Sequence, residues 1–350
     1  MTLERPQGHD EVLTGLWAAA EAERLPHALL FTGGEGIGKF MAAQWFLAGL
    51  FCEAGPGEPC ETCGACRRLW AGSFGDLFLV DPDAEGTERI PVGRIARRDR
   101  EEGVCLEEFF SLRPAEGGWR GVILRDFERA TREAQNALLK TLEEPGGSCC
   151  LVLVSAHPGR LLDTVRSRCV HVGLEAPDDE TCARVLSKSG LDTETAQQVS
   201  RWAAGAPGRA LRWALRGATA ERDVLLAVLG GELDALSGAG QVLAVEGELG
   251  EGTPTALARR RAVGVVELAV EVLRDLTRCG AGVPASEVPH GDVPEGILCL
   301  VRESSVTRRG LEVLWRARRE LDSNLAPEAV LDRAFSELQD IFCGARSRVR

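Results

Sequence analysis

The amino-acid sequence predicts a parallel α/β domain followed by helix-only regions, and three observations carry that prediction. Short apolar runs alternate with helical stretches over the first 173 residues, as in a parallel sheet with flanking helices. One of these runs feeds directly into a glycine cluster that opens a helix. Beyond residue 173 no strand-like run recurs. A chain of 350 residues has room for two or three domains.

The first strand is Ala28–Thr32, which leads into the glycines. Asp76–Val80, Gly121–Leu124 and Cys150–Val154 are almost wholly apolar, as strands buried on both faces of a parallel sheet must be. Between the last two, Thr131 reads as the N-cap of a helix that places Glu133 in its first turn. That helix stacks Ala134, Leu138 and Leu142 on one face and stops at Pro145. A helix-like stretch over 161–166 precedes a strand at Val170–Val172, and the charged segment Asp81–Arg100 reads as a surface loop. The expected domains are therefore residues 1–173, with a cysteine-rich insertion at 52–66, then a small helical domain at 174–217 and a larger one at 218–350. In the last of these, Thr253-Pro254 opens a helix in which Ala262, Val265, Val266, Ala269, Val272, Leu273 and Leu276 keep helical spacing up to Gly280. Leu331, Ala334, Phe335, Leu338, Ile341 and Phe342 repeat the pattern near the end.

Composition narrows the function classes. The formal charge is −12, which argues against a general nucleic-acid coat, because counterion release needs a broad basic face. Only a local basic strip remains open, and Arg259–Arg261 reads as a solvated helix start with at most a DNA-backbone contact. No apolar run approaches the roughly 18 residues of a membrane span. The longest, Phe40–Cys52, is shorter and contains Gln44. Met1-Thr-Leu-Glu-Arg-Pro lacks a charged-then-apolar leader, so a cytoplasmic protein without a membrane partner is expected.

Gly33-Gly-Glu-Gly-Ile-Gly38-Lys39 follows a strand and opens a helix, the context of a phosphate-binding P-loop. Glycines let backbone N–H groups wrap phosphates, and the lysine reaches the terminal ones. Of the 41 basic residues only Lys39, Lys140 and Lys188 are lysines, so the position of Lys39 is informative. The next residue should be Ser or Thr, whose hydroxyl holds magnesium, and it is Phe40. After Val122–Leu124 a metal-binding Asp and a water-orienting Glu should follow, and the chain reads Arg125-Asp126-Phe127-Glu128. Two losses on one magnesium ion argue against ATP hydrolysis, and leave ATP binding doubtful.

Cys52-x7-Cys60-x2-Cys63-x2-Cys66 offers four thiols in fifteen residues, with Pro59 and Gly64 suited to tight turns. In a reducing compartment such a cluster reads as a closed, structural four-thiolate zinc site rather than a redox dithiol or an iron–sulfur run. The other eight cysteines are scattered and read as small core residues; His27 and His157 read as satisfied polar groups. Ser167-Arg168-Cys169 ends the stretch before the last strand, where an arginine is either a surface ion-pair partner or a fork offered to a neighbour's phosphate. Arg209, in Gly-Ala-Pro-Gly-Arg-Ala-Leu, reads as a phosphate sensor or, at least as well, as a structural residue.

Taken together these residues resemble the AAA+ clamp-loader family of bacterial DNA polymerase III. The matching stretches, in family order over about residues 10–215, are Leu25–Phe31, Gly36-Ile-Gly-Lys39, the four cysteines, Ser111–Pro114, Glu133–Pro145, Ser167–Cys169 and Gly208–Leu211. The resemblance implies an AAA+ P-loop domain at 1–173, a helical lid at 174–217 and an all-α collar at 218–350. With Phe40 and Arg125 in place, it implies the non-hydrolysing member of the family. Arg168, within Ser167–Cys169, would be an arginine finger acting in trans; Gly33, Gly38 and Lys39 would form a degenerate P-loop. Implied partners are gamma/tau and delta subunits and, through the complex, the sliding clamp and primer–template DNA. An active gamma/tau-like ATPase is the alternative, and a zinc-stabilised nucleotide-binding regulator is a third class. The long Asp81–Arg100 region, and Ser73-Phe74-Gly75 where relatives tend to carry His-Pro, depart from the family pattern.

Overall fold

Five strands form one all-parallel sheet in the order β2-β3-β4-β1-β5, with β1 Ala28–Thr32, β2 Leu77–Val80, β3 Arg120–Leu124, β4 Cys149–Ser155 and β5 Val170–Gly173. This computed structural model describes residues 4–97, 104–112, 114–115, 118–145, 148–250, 252–301, 304–323 and 325–349. The register pairs Leu30 with Leu153 on one side of β1 and with His171 on the other, and Val122 with Leu151 across β3 and β4. Every residue of β3 and β4 is buried, while β5, at one edge, is largely exposed. Continuous apolar runs and central position coincide, because only central strands are covered on both faces.

Two layers of helix cover the sheet. α1 (Asp10–Glu21) packs on α2 (Lys39–Phe51), and α2 is buried nearly all round between α1, α3 (Gly64–Trp70) and the strands. Gly121 permits the close approach of α2: a β-carbon there would lie 2.6 Å from the Phe51 ring and 2.8 Å from Leu47. On the other face lie α4 (Leu106–Ser111), α5 (Arg132–Glu143) and the single turn α6 (Asp163–Arg166). There Leu138 and Leu142 of α5 share a core with Leu30, Val122, Leu124, Leu151 and Phe127. Thr131 caps α5, accepting from the Ala134 N–H at 3.2 Å.

The segment after β2 corrects one expectation. Its described part, up to residue 97, is irregular but is not a surface loop. Ile90 is 1% exposed and Ile95 2%, both set into the core beneath α5. The Ile90 N–H donates to Arg129 O at 3.1 Å and its carbonyl accepts from Thr131 N at 3.0 Å, a one-residue parallel bridge. Charges flanking two isolated isoleucines hide this anchor from any periodicity. Residues 98–100 of the same stretch lie outside the described residues.

The chain divides into two compact units, the first up to Thr181 and the second from Cys182. Ahead of the division α7 (Asp179–Lys188) begins; the second unit continues with α8 (Thr193–Trp202), α9 (Pro207–Arg216), α10 (Ala218–Gly230), α11 (Ala235–Ala244), α12 (Pro254–Gly280), α13 (Glu295–Leu300), α14 (Ser304–Asp322) and α15 (Pro327–Val349). Thr253 caps α12, and Val265, Ala269, Val272 and Leu276 are buried along it, as the spacing predicts. Arg259–Arg261 is a solvated helix start only at exposed Arg260: Arg259 donates to the Leu321 and Leu325 carbonyls, and buried Arg261 binds Glu221 at 2.8 Å and the Arg216 carbonyl at 3.0 Å. Among the described residues no helix is long and apolar enough to cross a membrane.

Truncating Ile90 tests the anchored segment. Ile90→Ala removes a fully enclosed side chain and is expected to cost about 2–4 kcal/mol in urea unfolding of the first unit. A loss under about 0.5 kcal/mol, the usual range for surface sites, would return the segment to the surface.

Candidate functional site

The glycine loop between β1 and α2 has the shape of an anion cradle. Gly33, Gly36 and Gly38 all take positive φ (144°, 77° and 95°), and a β-carbon on Gly33 would lie 2.2 Å from the Leu174 carbonyl. Glycine is therefore required there on two grounds, backbone and space. Gly38 is the N-cap of α2, so the helix N-terminus faces the loop. Lys39 is buried, and its Nζ donates to the carbonyls of Gly33 at 3.0 Å and Gly34 at 2.6 Å. His9, also buried, braces the loop by donating Nε2–H to the Ile37 carbonyl at 2.8 Å, and burial lowers its pKa. The sequence gives no spacing signal for His9, which lies 28 residues from its partner.

The two departures from the P-loop pattern meet each other. The Arg125 guanidinium lies over the Phe40 ring, 5.0 Å from its centroid. The same guanidinium binds Asp81 at 2.9 Å and Asp83 at 3.0 Å, with Asp126 at 3.6 Å. Phe40, where the P-loop pattern expects a magnesium-holding hydroxyl, is thus packed against the side chain of Arg125. Neither residue offers an oxygen to a metal, so the side chains present do not fit magnesium coordination at these positions.

The acids after β3 are also committed. Asp126 sits at φ +48°, a strained region for a residue with a β-carbon, and burial raises its pKa despite the neighbouring Arg125. Glu128 accepts from the N–H groups of Ala156 at 2.9 Å and His157 at 3.3 Å, which fixes the turn after β4.

The four cysteines converge. Cys52 ends α2, Cys63 caps α3, and the four sulfurs lie within 4.8 Å of one another. Sulfurs accept from the amides of Cys60, Cys63 and Cys66 at 3.4–3.5 Å, bonds that favour thiolates. The Thr62 hydroxyl and its backbone N–H draw the Cys60 thiol down to about 6, while burial pushes Cys66 up. Sulfurs this close are near enough for all four to bind one ion. Four thiols are thereby placed to hold a metal ion, with no fifth donor in the group.

Of Ser167–Cys169 only the arginine offers a charged tip to solvent. Ser167 donates to the Thr164 carbonyl at 3.2 Å; Cys169 is buried in the core, which pushes its thiol up to about 11. Arg168, its side chain 36% exposed, donates to the Thr164 carbonyl at 3.0 Å and pairs with Glu143 at the end of α5. Arg209, in α9 of the second unit, lies over the Trp213 ring at 5.0 Å. His27 donates Nε2–H to the Leu142 carbonyl at 2.9 Å, and Cys149 and Cys150 are buried in β4.

Residues 8–178 match the family described as DNA polymerase III, delta subunit. The DNA polymerase III subunit delta' of Bacillus subtilis is 37% identical over 158 residues, covering 45% of each chain. That of Pseudomonas aeruginosa is 35% identical over 190 residues, 53% of this chain and 55% of the relative. The Escherichia coli tau subunit is 33% identical over 174 residues, 49% of this chain and 25% of the relative. The aligned stretches thus span about half the length of these curated relatives, or less. A DNA polymerase III gamma subunit-related protein from Thermotoga maritima is a similar solved structure, with a TM-score of 0.46, 16% identity, and coverage of 97% of this chain and 99% of that one.

The Phe40–Arg125 contact is measurable as a coupling. In a double-mutant cycle of Phe40→Leu and Arg125→Met, read by urea unfolding, the pair is expected to show about 1 kcal/mol of favourable interaction. Additive single losses would mean that ring and guanidinium are independent.

Proposed function

We propose that this chain is a delta-prime-like subunit of the DNA polymerase III clamp loader that does not hydrolyse ATP, a reading supported by the match of residues 8–178 to the delta-subunit family and by curated relatives that are delta-prime and tau subunits. One observation carries the reading: a phenyl ring and a guanidinium, in mutual contact, stand where a hydroxyl and a carboxylate would hold magnesium. Losing one ligand weakens a metal site; replacing both with a ring and a fixed positive charge removes it. The chain then acts through what it presents to neighbours. Arg168 supplies its guanidinium in trans to a nucleotide held by an adjacent gamma/tau subunit, and Glu143 holds the side chain in place until that subunit docks. Residues 1–173 form the AAA+ domain, 174–217 the lid, and 218–350 the collar through which the subunit assembles with gamma/tau and delta. The assembly loads the sliding clamp on primed DNA. Ion pairing at Arg168 and ring stacking at Arg209 favour a structural part for Arg209. The ion held by the four thiols is zinc, in a closed structural site that fastens residues 52–66 to the end of α2.

The purified chain, given ATP and magnesium, is expected to show no more turnover than its Lys39→Ala variant. Reconstituted with gamma/tau and delta subunits, Arg168→Ala is expected to lower DNA- and clamp-stimulated ATPase, by about tenfold or more at the site it serves. Brisk turnover by the lone chain, or an unchanged rate in the assembly, would contradict the proposal. For the metal, Cys63→Ser is expected to reduce bound zinc from one equivalent towards none and to lower the melting temperature of the first unit. A melting curve superimposable on that of the parent protein would rule out a structural ion.

A further inference from the structure

Helix α14 packs Val306, Val313, Leu314, Ala317 and Leu321 inward. Its other side carries Arg308, Arg309, Glu312, Trp315, Arg316 and Arg319, all exposed. At about 3.6 residues per turn, Arg308, Glu312, Trp315 and Arg319 fall in one stripe, and Arg308 to Arg319 spans about 16 Å. Trp315 is 59% exposed, whereas Trp17, Trp45, Trp202 and Trp213 are all 9% or less. The neighbouring charges are unevenly committed. Arg316 pairs with Glu337, Arg318 with Glu267 and Asp322, and Arg333 with Glu320. Arg308, Arg309 and Arg319 have no ion-pair partner among the described residues. Among the described residues, three guanidinia without an ion-pair partner thus lie around the one strongly exposed indole of an acidic chain.

The pattern discriminates between partners. A helix face that docks on another protein helix shows several apolar residues at three- and four-residue spacing. Here the indole is the only apolar group among the exposed residues of α14. A lone aromatic between arginine forks suits single-stranded nucleic acid instead: a base stacks on the ring, and phosphates meet the guanidinia on either side. Glu312 lies within the stripe and repels phosphate there, which leaves the contacts to its two ends. We propose that the exposed face of α14 binds single-stranded DNA, with Trp315 as the stacking platform and Arg308, Arg309 and Arg319 as phosphate contacts. The choice of DNA over RNA rests on the replication role proposed above; the site itself does not.

The test uses the full-length chain alone, so its failure is separable from that of the ATPase reading. Fluorescence anisotropy with labelled oligo(dT) at low salt is expected to detect binding. Trp315→Ala should weaken it by about tenfold or more, and Trp315→Phe should keep most of it. The double variant Arg308→Gln/Arg319→Gln should reduce the slope of log affinity against log salt by about 1.4. Unchanged circular-dichroism melting of each variant would certify the fold. No binding by the parent chain, equal binding by Trp315→Ala, or displacement of oligo(dT) by poly-glutamate at equal charge would overturn the proposal, the last by assigning the face to an acidic protein. Tighter binding of oligo(U) than of oligo(dT) would overturn the choice of DNA.

Discussion

A guanidinium stacked on a phenyl ring sets the character of this cradle. Arg125 and Phe40 are 85 residues apart, just past the end of β3 and in the first turn of α2, and each alone would damage a magnesium site. Together they make a stable arrangement, because the ring presents negative potential to the cation and the aspartates after β2 neutralise it from the other side. The glycine loop keeps its left-handed turns and its lysine. The cation beside the loop's helix is the Arg125 guanidinium, part of the chain itself.

The same guanidinium ties this corner to the irregular segment after β2. Asp81 and Asp83 belong to that segment, and Arg129 adds bonds to Asp83 and to the Glu88 carbonyl. Ile90 and Ile95 then insert beneath α5. Arg125, at a position where the P-loop pattern expects an acid, thus fastens the irregular segment after β2. An aspartate at 125 would instead face Asp81 and Asp83 with like charge.

Much of the framework was legible in the sequence. Strand limits agree to within a residue or so, because buried parallel strands must be apolar throughout, and the Thr131 and Thr253 caps announce themselves locally. The four-cysteine cluster was equally plain, as its ligands lie close in sequence. Hidden from sequence were pairings set by the fold alone: Phe40 with Arg125, Arg168 with Glu143, and Arg261 with Glu221. The second unit offers the clearest case. Arg222, Trp202, His290, Trp213 and Arg209 stack in succession, with ring centroids 5.3 and 6.2 Å apart and guanidinia 4.6 and 5.0 Å from the outer indoles. Burial, with both arginines near, holds His290 at about 3, so its imidazole stays neutral across physiological pH. Nothing in the local sequence of Arg209 reveals that its fork closes such a stack.

Arginine therefore serves in two ways here, and partner count separates them. Arg125 has three carboxylates and a ring around it, so moving it would strand several charges in a half-buried site. Arg168 has one carboxylate and one carbonyl, at a site about one-third exposed. Exposed pairs of that kind contribute only about 0–1 kcal/mol. Exchanging Glu143 for a more highly charged phosphate would then cost little and gain a bidentate contact, which lysine in the same place could not form. A guanidinium held by three carboxylates and a ring is fixed in place; one held by a single carboxylate and a carbonyl is the one suited to the proposed role in trans.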